Sequence, residues 1–92
     1  MTVRINNLTA ESGETAAWSP AADTLIQVHT DEGSTAVVEL FGRADAAAPY
    51  ESVASVKLGS EAFIHLPVKL QSVKLVWSAN RDGKHFSAWS VE

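Results

Sequence analysis

Hydrophobic and polar residues alternate with a period of two through almost every apolar stretch of this chain, and short turn signals punctuate its length. The run Val73-Lys74-Leu75-Val76-Trp77-Ser78 is the clearest, with Val73, Leu75 and Trp77 on one face and Lys74, Val76 and Ser78 on the other. Successive side chains of a strand point to opposite sides, so such a run buries one face and wets the other. Val73, Leu75 and Trp77 are therefore expected in a core, and the pattern predicts an all-β chain.

Residues 2–9 alternate weakly through Val3 and Ile5 and read as an N-terminal arm or an edge strand. Thr9 stands where it would cap a helical turn over residues 11–17, but Gly13 makes that stretch a poor helix, and a loop with a short strand ending at Trp18 is favoured. Residues 24–30 and 35–41 are β-branched-rich runs joined by Asp31-Glu32-Gly33-Ser34, which predicts a hairpin. Residues 42–49 form a longer connection, residues 50–58 a strand, and Gly59-Ser60 a turn. Residues 61–66 make another strand, ended by Pro67, which cannot donate to a central ladder. The expected last hairpin pairs residues 72–79 with residues 85–91 across the turn chemistry of Asn80, Asp82 and Gly83. In its final strand Phe86 and Ala88 share one face while Trp89 and Val91 share the other. Either that strand is apolar on both faces or a bulge shifts its register. Residues 1–92 thus form a single antiparallel β-sandwich of about seven to eight strands, jelly-roll or immunoglobulin-like, with residues 1–8 as arm or edge.

Size changes the picture first. A chain of 92 residues without cysteine has no disulfide or thiolate metal site to supplement a small core. Self-association or docking on a larger partner is the expected supplement. The net charge of −4, with lysines and arginines scattered, offers no phosphate-tracking stripe and argues against nucleic acid. No apolar run approaches the roughly 20 residues that cross a bilayer as a helix. The first residues lack the pattern of an export leader, so synthesis in the cytoplasm without onward targeting is expected.

Candidate chemistry is sparse. His29, His65 and His85 fall on three separate predicted strands and include no i, i+2 pair, so they read as rim imidazoles and no metal is expected. Carboxylates such as Asp23, Asp31, Glu32, Asp45 and Asp82 sit mostly in turns, where they bond local backbone. No Gly-x-Ser-x-Gly elbow or phosphate-cradling loop occurs, and neither an enzyme nor a cofactor is expected. The three tryptophans carry more information. Trp18 and Trp89 lie near element ends as core lids, interface anchors or a stacking platform for sugars. A carbohydrate-binding module would use Trp18, Trp89 or Tyr50. The expected partner interface comprises Val3, Arg4, Ile5, Leu8, Trp18 and Trp89, the first four on an arm whose loss would abolish assembly and spare the fold.

A Leu-Ile-Gln-Val strand (25–28), the turn at Gly33, the Thr-Ala-Val-Val-Glu-Leu-Phe-Gly-Arg run (35–43), Val-Lys-Leu-Val-Trp-Ser-Ala-Asn (73–80) and an Asp-Gly turn into an aromatic last strand carry a family likeness. Together they resemble the small β-sandwich virion structural proteins of tailed bacteriophages. The resemblance implies a capsid decoration or cement protein, or else a head-fibre or tail accessory subunit. It further implies contact with the major capsid protein or another virion protein, a homo-oligomeric state, a place in the virion after synthesis in the host cytoplasm, and no catalytic residues.

Overall fold

The alternating runs become eight strands among the residues described by the computed structural model, which are 2–30, 35–57, 63–81 and 85–91. They are β1 (Thr2–Leu8), β2 (Gly13–Glu14), β3 (Thr24–Thr30), β4 (Val37–Arg43), β5 (Glu51–Lys57), β6 (Phe63–Leu66), β7 (Ser72–Ser78) and β8 (Phe86–Val91). Burial follows the alternation: Thr24, Ile26 and Val28 point inward from β3, Val38, Leu40 and Gly42 from β4, and Val73, Leu75 and Trp77 from β7. The turns expected at Gly33, Gly59 and Gly83 lie outside the described residues. No helix forms over residues 11–17; Thr15 N there donates to Leu75 O at 2.9 Å, continuing the β2 edge along β7.

All the pairings are antiparallel, and they make two four-stranded sheets in the orders β1-β8-β3-β6 and β2-β7-β4-β5. First pairs with last, second with seventh, third with sixth and fourth with fifth, as when one long ribbon is rolled across two layers. That is the jelly-roll order. An immunoglobulin-like chain would instead keep its last two strands side by side in one sheet. Here β7 and β8 lie in opposite sheets, and β8 sits between β1 and β3.

This topology corrects both expected hairpins. Residues 24–30 and 35–41 do form strands, but β3 and β4 belong to opposite sheets, and so do β7 and β8. Alternation records which side of a strand is buried and is silent on which sheet the strand joins. An arch that crosses the core therefore has the same one-dimensional pattern as a hairpin. Among the described strands the hairpin connection is β4–β5, across the stretch expected to be a mere connection. Asp45 nucleates its turn: Asp45 Oδ1 accepts from Ala47 N at 2.8 Å and Asp45 O from Ala48 N at 3.0 Å.

The core lies between the sheets, with Ile26, Leu40, Val73, Leu75 and Ala88 fully excluded from water. The Trp77 ring meets Phe86 edge-on, centroids 5.5 Å apart. It lies over Gly13, its cross-strand partner, where an added Cβ would stand 2.5 Å from Trp77 Cζ2. Glycine at this position makes room for the indole. The β8–β3 register is unbroken from Leu25↔Val91 to Thr30↔Phe86, whereas β1 shifts register twice against β8. Of the two readings of the last strand, apolarity on both faces is the one realised along β3.

Residues 2–8 are an edge strand in this structure, and Ile5 is only 2% exposed within the core. Deleting residues 1–8 would therefore uncover the core, contrary to the expectation that the fold would be spared; urea unfolding of the truncated chain should show it largely unfolded. Gly13→Ala should cost about 1–3 kcal/mol by driving a methyl into a rigid buried ring. Gly42→Ala meets the flexible end of Leu70 and should cost less. Equal unfolding midpoints for the two glycine variants would contradict this packing.

Candidate functional site

The two sheets turn very different outer faces to solvent. On the β2-β7-β4-β5 sheet, outward positions alternate charges with half-buried apolar groups, and the polar groups engage one another. Lys74 Nζ pairs with Glu14 Oε2 at 3.1 Å, and Ser52 Oγ donates to Glu39 Oε2 at 3.0 Å. Tyr50 is held between cations, with Arg43 Cζ 4.7 Å and Lys74 Nζ 4.8 Å from its ring centroid. Its hydroxyl shares a 2.9 Å hydrogen bond with Ser72 Oγ, and Arg43 Nε donates to Gln71 Oε1 at 2.9 Å. This face is a solvated, self-satisfied surface.

The β1-β8-β3-β6 sheet is the reverse. Cross-strand register places Val3, Trp89, Gln27 and Phe63 in one row across all four strands, and Val91, Leu25 and His65 in the next. His29 and Ser87 follow. None of these outward residues is Asp, Glu, Lys or Arg. Val3 and Phe63 are each 54% exposed, Val91 49% and Leu25 37%, while Trp89 is half-buried. Four of the seven large hydrophobic residues exposed on the described surface thus share one flat face. Isolated exposed aliphatics are ordinary, whereas a contiguous apolar patch marks an interaction surface.

The residues singled out in the sequence divide between this face and the fold's interior. Val3 and Trp89 are brought together as cross-strand partners on the face. Arg4 turns away from it: its guanidinium stacks 3.9 Å from the Trp18 ring centroid, and Arg4 Nε donates to Ser90 Oγ at 2.8 Å. Trp18 exchanges two 2.9 Å backbone hydrogen bonds with Val73 and packs against the core. Arg4 and Trp18 together close the gap between the β1 and β2 edges, as a lid would. Ile5 is core and offers no surface, and Leu8 is partly exposed at the end of β1 opposite Phe86.

Sequence reasoning missed Phe63 and Leu25 as members of the face, whereas it had already set Val91 on the same side of the last strand as Trp89. The signal was present as apolar doublets, Leu25-Ile26, Phe63-Ile64 and Ala88-Trp89. In a strand one member of such a doublet must point outward. His29 and His65 share the outer face, and His65 Nε2 lies 3.3 Å from Asp23 Oδ2 in an exposed pair at its rim. Exposed pairs of this kind add little to stability. No three His, Cys, Asp or Glu residues gather into a metal-holding group among the described residues.

No protein-family model matches the chain, and no curated protein matches it in sequence.

If the face is surface held ready for a partner, its residues are dispensable for folding. Phe63→Gln should shift stability by no more than about 1 kcal/mol. Trp77→Ala should cost about 3–5 kcal/mol. Thermal melts of the two variants check this, and comparable losses would mean that Phe63 is structural.

Proposed function

We propose that this domain is a structural accessory protein of a tailed-phage particle, a capsid decoration or cement protein, that works by protein–protein contact. The observation that carries the docking half of this reading is the uncharged apolar outer face of the β1-β8-β3-β6 sheet. Interfaces are depleted of charge at their centre and enriched in aromatic residues, and this face combines both features around Trp89 and Phe63. The particle half rests on the strand-level likeness of residues 25–28, 35–43 and 73–80 to phage virion proteins. The jelly roll agrees with that likeness, since the fold recurs in viral capsid and lectin domains, but fold analogy alone decides no function. A small rigid sandwich suits the task physically. Copied many times on a symmetric shell, it gains avidity by engaging several subunits at once.

A sugar platform is the competing use of the same face. Trp89 and Phe63 flank Gln27 two strand spacings apart, roughly 10 Å. Of the three aromatic residues first considered for sugar stacking, Trp18 packs on Arg4 and Tyr50 is held by Arg43 and Lys74. Continuous aliphatic filling by Val3, Leu25 and Val91 favours a protein surface over hydroxylated sugar.

Purified phage particles stripped of accessory proteins should co-sediment with the added wild-type chain. Phe63→Glu should reduce the bound fraction at least tenfold, a loss of about 1.4 kcal/mol or more. Absence of co-sedimentation, together with glycan-array binding that Trp89→Ala abolishes, would replace the particle reading with the carbohydrate one.

A further inference from the structure

Resting on the docking reading above, we infer that the protein covering the β1-β8-β3-β6 face is a second copy of this chain, packed sheet on sheet about a two-fold axis. Charge is the first argument. Each copy carries a net charge of −4, so two copies repel unless they meet where carboxylates are absent. Among the described residues the outward positions of this face hold no Asp, Glu, Lys or Arg, its ionisable groups being the imidazoles of His29 and His65 with Asp23 at the rim, while the opposite face carries Glu14, Glu39, Arg43 and Lys74.

Shape is the second. A two-fold axis parallel to the strands, lying in the contact plane between β8 and β3, lays β8 of one copy over β3 of the other and β1 over β6. Trp89 then meets Gln27, and Val3 meets Phe63, in two large-against-small pairs. In the next row Val91 meets Leu25, apolar on apolar. Aligned sheets pack this way about 10 Å apart, their mean strand directions within about 30° of each other. A face that repeats its own complement under one rotation is what an isologous interface requires.

Area is the third. Four strands about 4.8 Å apart, three contributing about 20 Å of length and the four-residue β6 about 13 Å, make a face of roughly 350 Å² in projection. With side-chain relief, two such faces remove on the order of 1,000 Å² from water, near the lower bound for a specific dimer. The sheet's own edges are poor alternatives. β1 is broken by two register shifts and β6 is four residues long, followed by Pro67, and such edges resist strand addition.

Sedimentation velocity of the full chain, with circular dichroism as the check on folding, tests the inference. The wild type should sediment as a dimer at about 100 µM and dissociate on dilution, as expected for micromolar affinity. Gln27→Glu changes no volume and places one carboxylate from each copy in the dry centre, so it should weaken the dimer at least tenfold while remaining folded. Phe63→Glu should do the same, and Ala16→Glu, away from the face, should not. A wild type that is monomeric at this concentration, a ring of three or more copies, or a dimer indifferent to both face variants would overturn the second copy. A wild-type monomer that still co-sediments with particles, and loses them through Phe63→Glu, would overturn the dimer and leave the docking reading standing. A dimer dissolved by Gln27→Glu, in a protein that finds no particle, would uphold the dimer and refute the particle reading.

Discussion

A slip of one residue in the pairing of β8 with β3 would drive Trp89 and Val91 into the core and expel Phe86 and Ala88. The unbroken ladder between these two strands therefore sets both the interior and the exterior of the molecule. Inward, Phe86 closes on Trp77, and Trp77 in turn lies over Gly13. Outward, the same register aligns Trp89 with Val3 on one side and with Gln27 and Phe63 on the other. Core and candidate interface are two consequences of a single pairing. The face spans all four strands, with Trp89 and Gln27 at its centre on β8 and β3 and Val3 and Phe63 on the two edge strands.

Rolling the chain between layers explains how so short a sequence encloses a core without disulfides. Each arch sends consecutive strands to opposite sides of the interior, so Val28 and Val38 are buried from facing sheets although β3 and β4 follow one another in the chain. The closing contacts come from residues distant along the chain: Arg4 over Trp18, Ser90 with Arg4, and Asn80 Nδ2 with Ala10 O at 3.2 Å. Asn80 N also donates to Glu11 O, pinning the exit of β7 to the segment that precedes β2. Ala79 just before it adopts a left-handed φ of 60°, a cost of about 1–2 kcal/mol that those hydrogen bonds help to offset.

Strands were legible in the sequence because the inside–outside alternation is a local property. The core role of Val73, Leu75 and Trp77 could be read from one six-residue run. Pairing was not legible: the runs at 24–30 and 35–41 carry the same alternation whether they join as a hairpin or face each other across a core. The choice between jelly-roll and immunoglobulin-like order depends on where β8 inserts, which no local pattern states. The candidate face was half legible. Trp89 stood out as an indole near an element end, lid or anchor, and Val3 as part of a marginal edge, and the double-sided pattern of β8 announced a second apolar surface. Phe63 and Leu25 were absorbed into strands assumed to be single-faced. Ile5 lies in the core instead of at the surface because the register shift between Val3 and Ile5 moves an edge strand's side chains without a mark in the sequence.

Docking through the apolar side of the β1-β8-β3-β6 sheet predicts a change in solvent access on assembly, which oxidative footprinting reads residue by residue on dilute protein and again in its assembled state. Phe63 and Trp89 should be modified when the protein is dilute and become protected on assembly, with Tyr50 unchanged and Phe86 protected throughout. Equal reactivity of Phe63 in both states, or protection confined to Tyr50 and its neighbours, would contradict it.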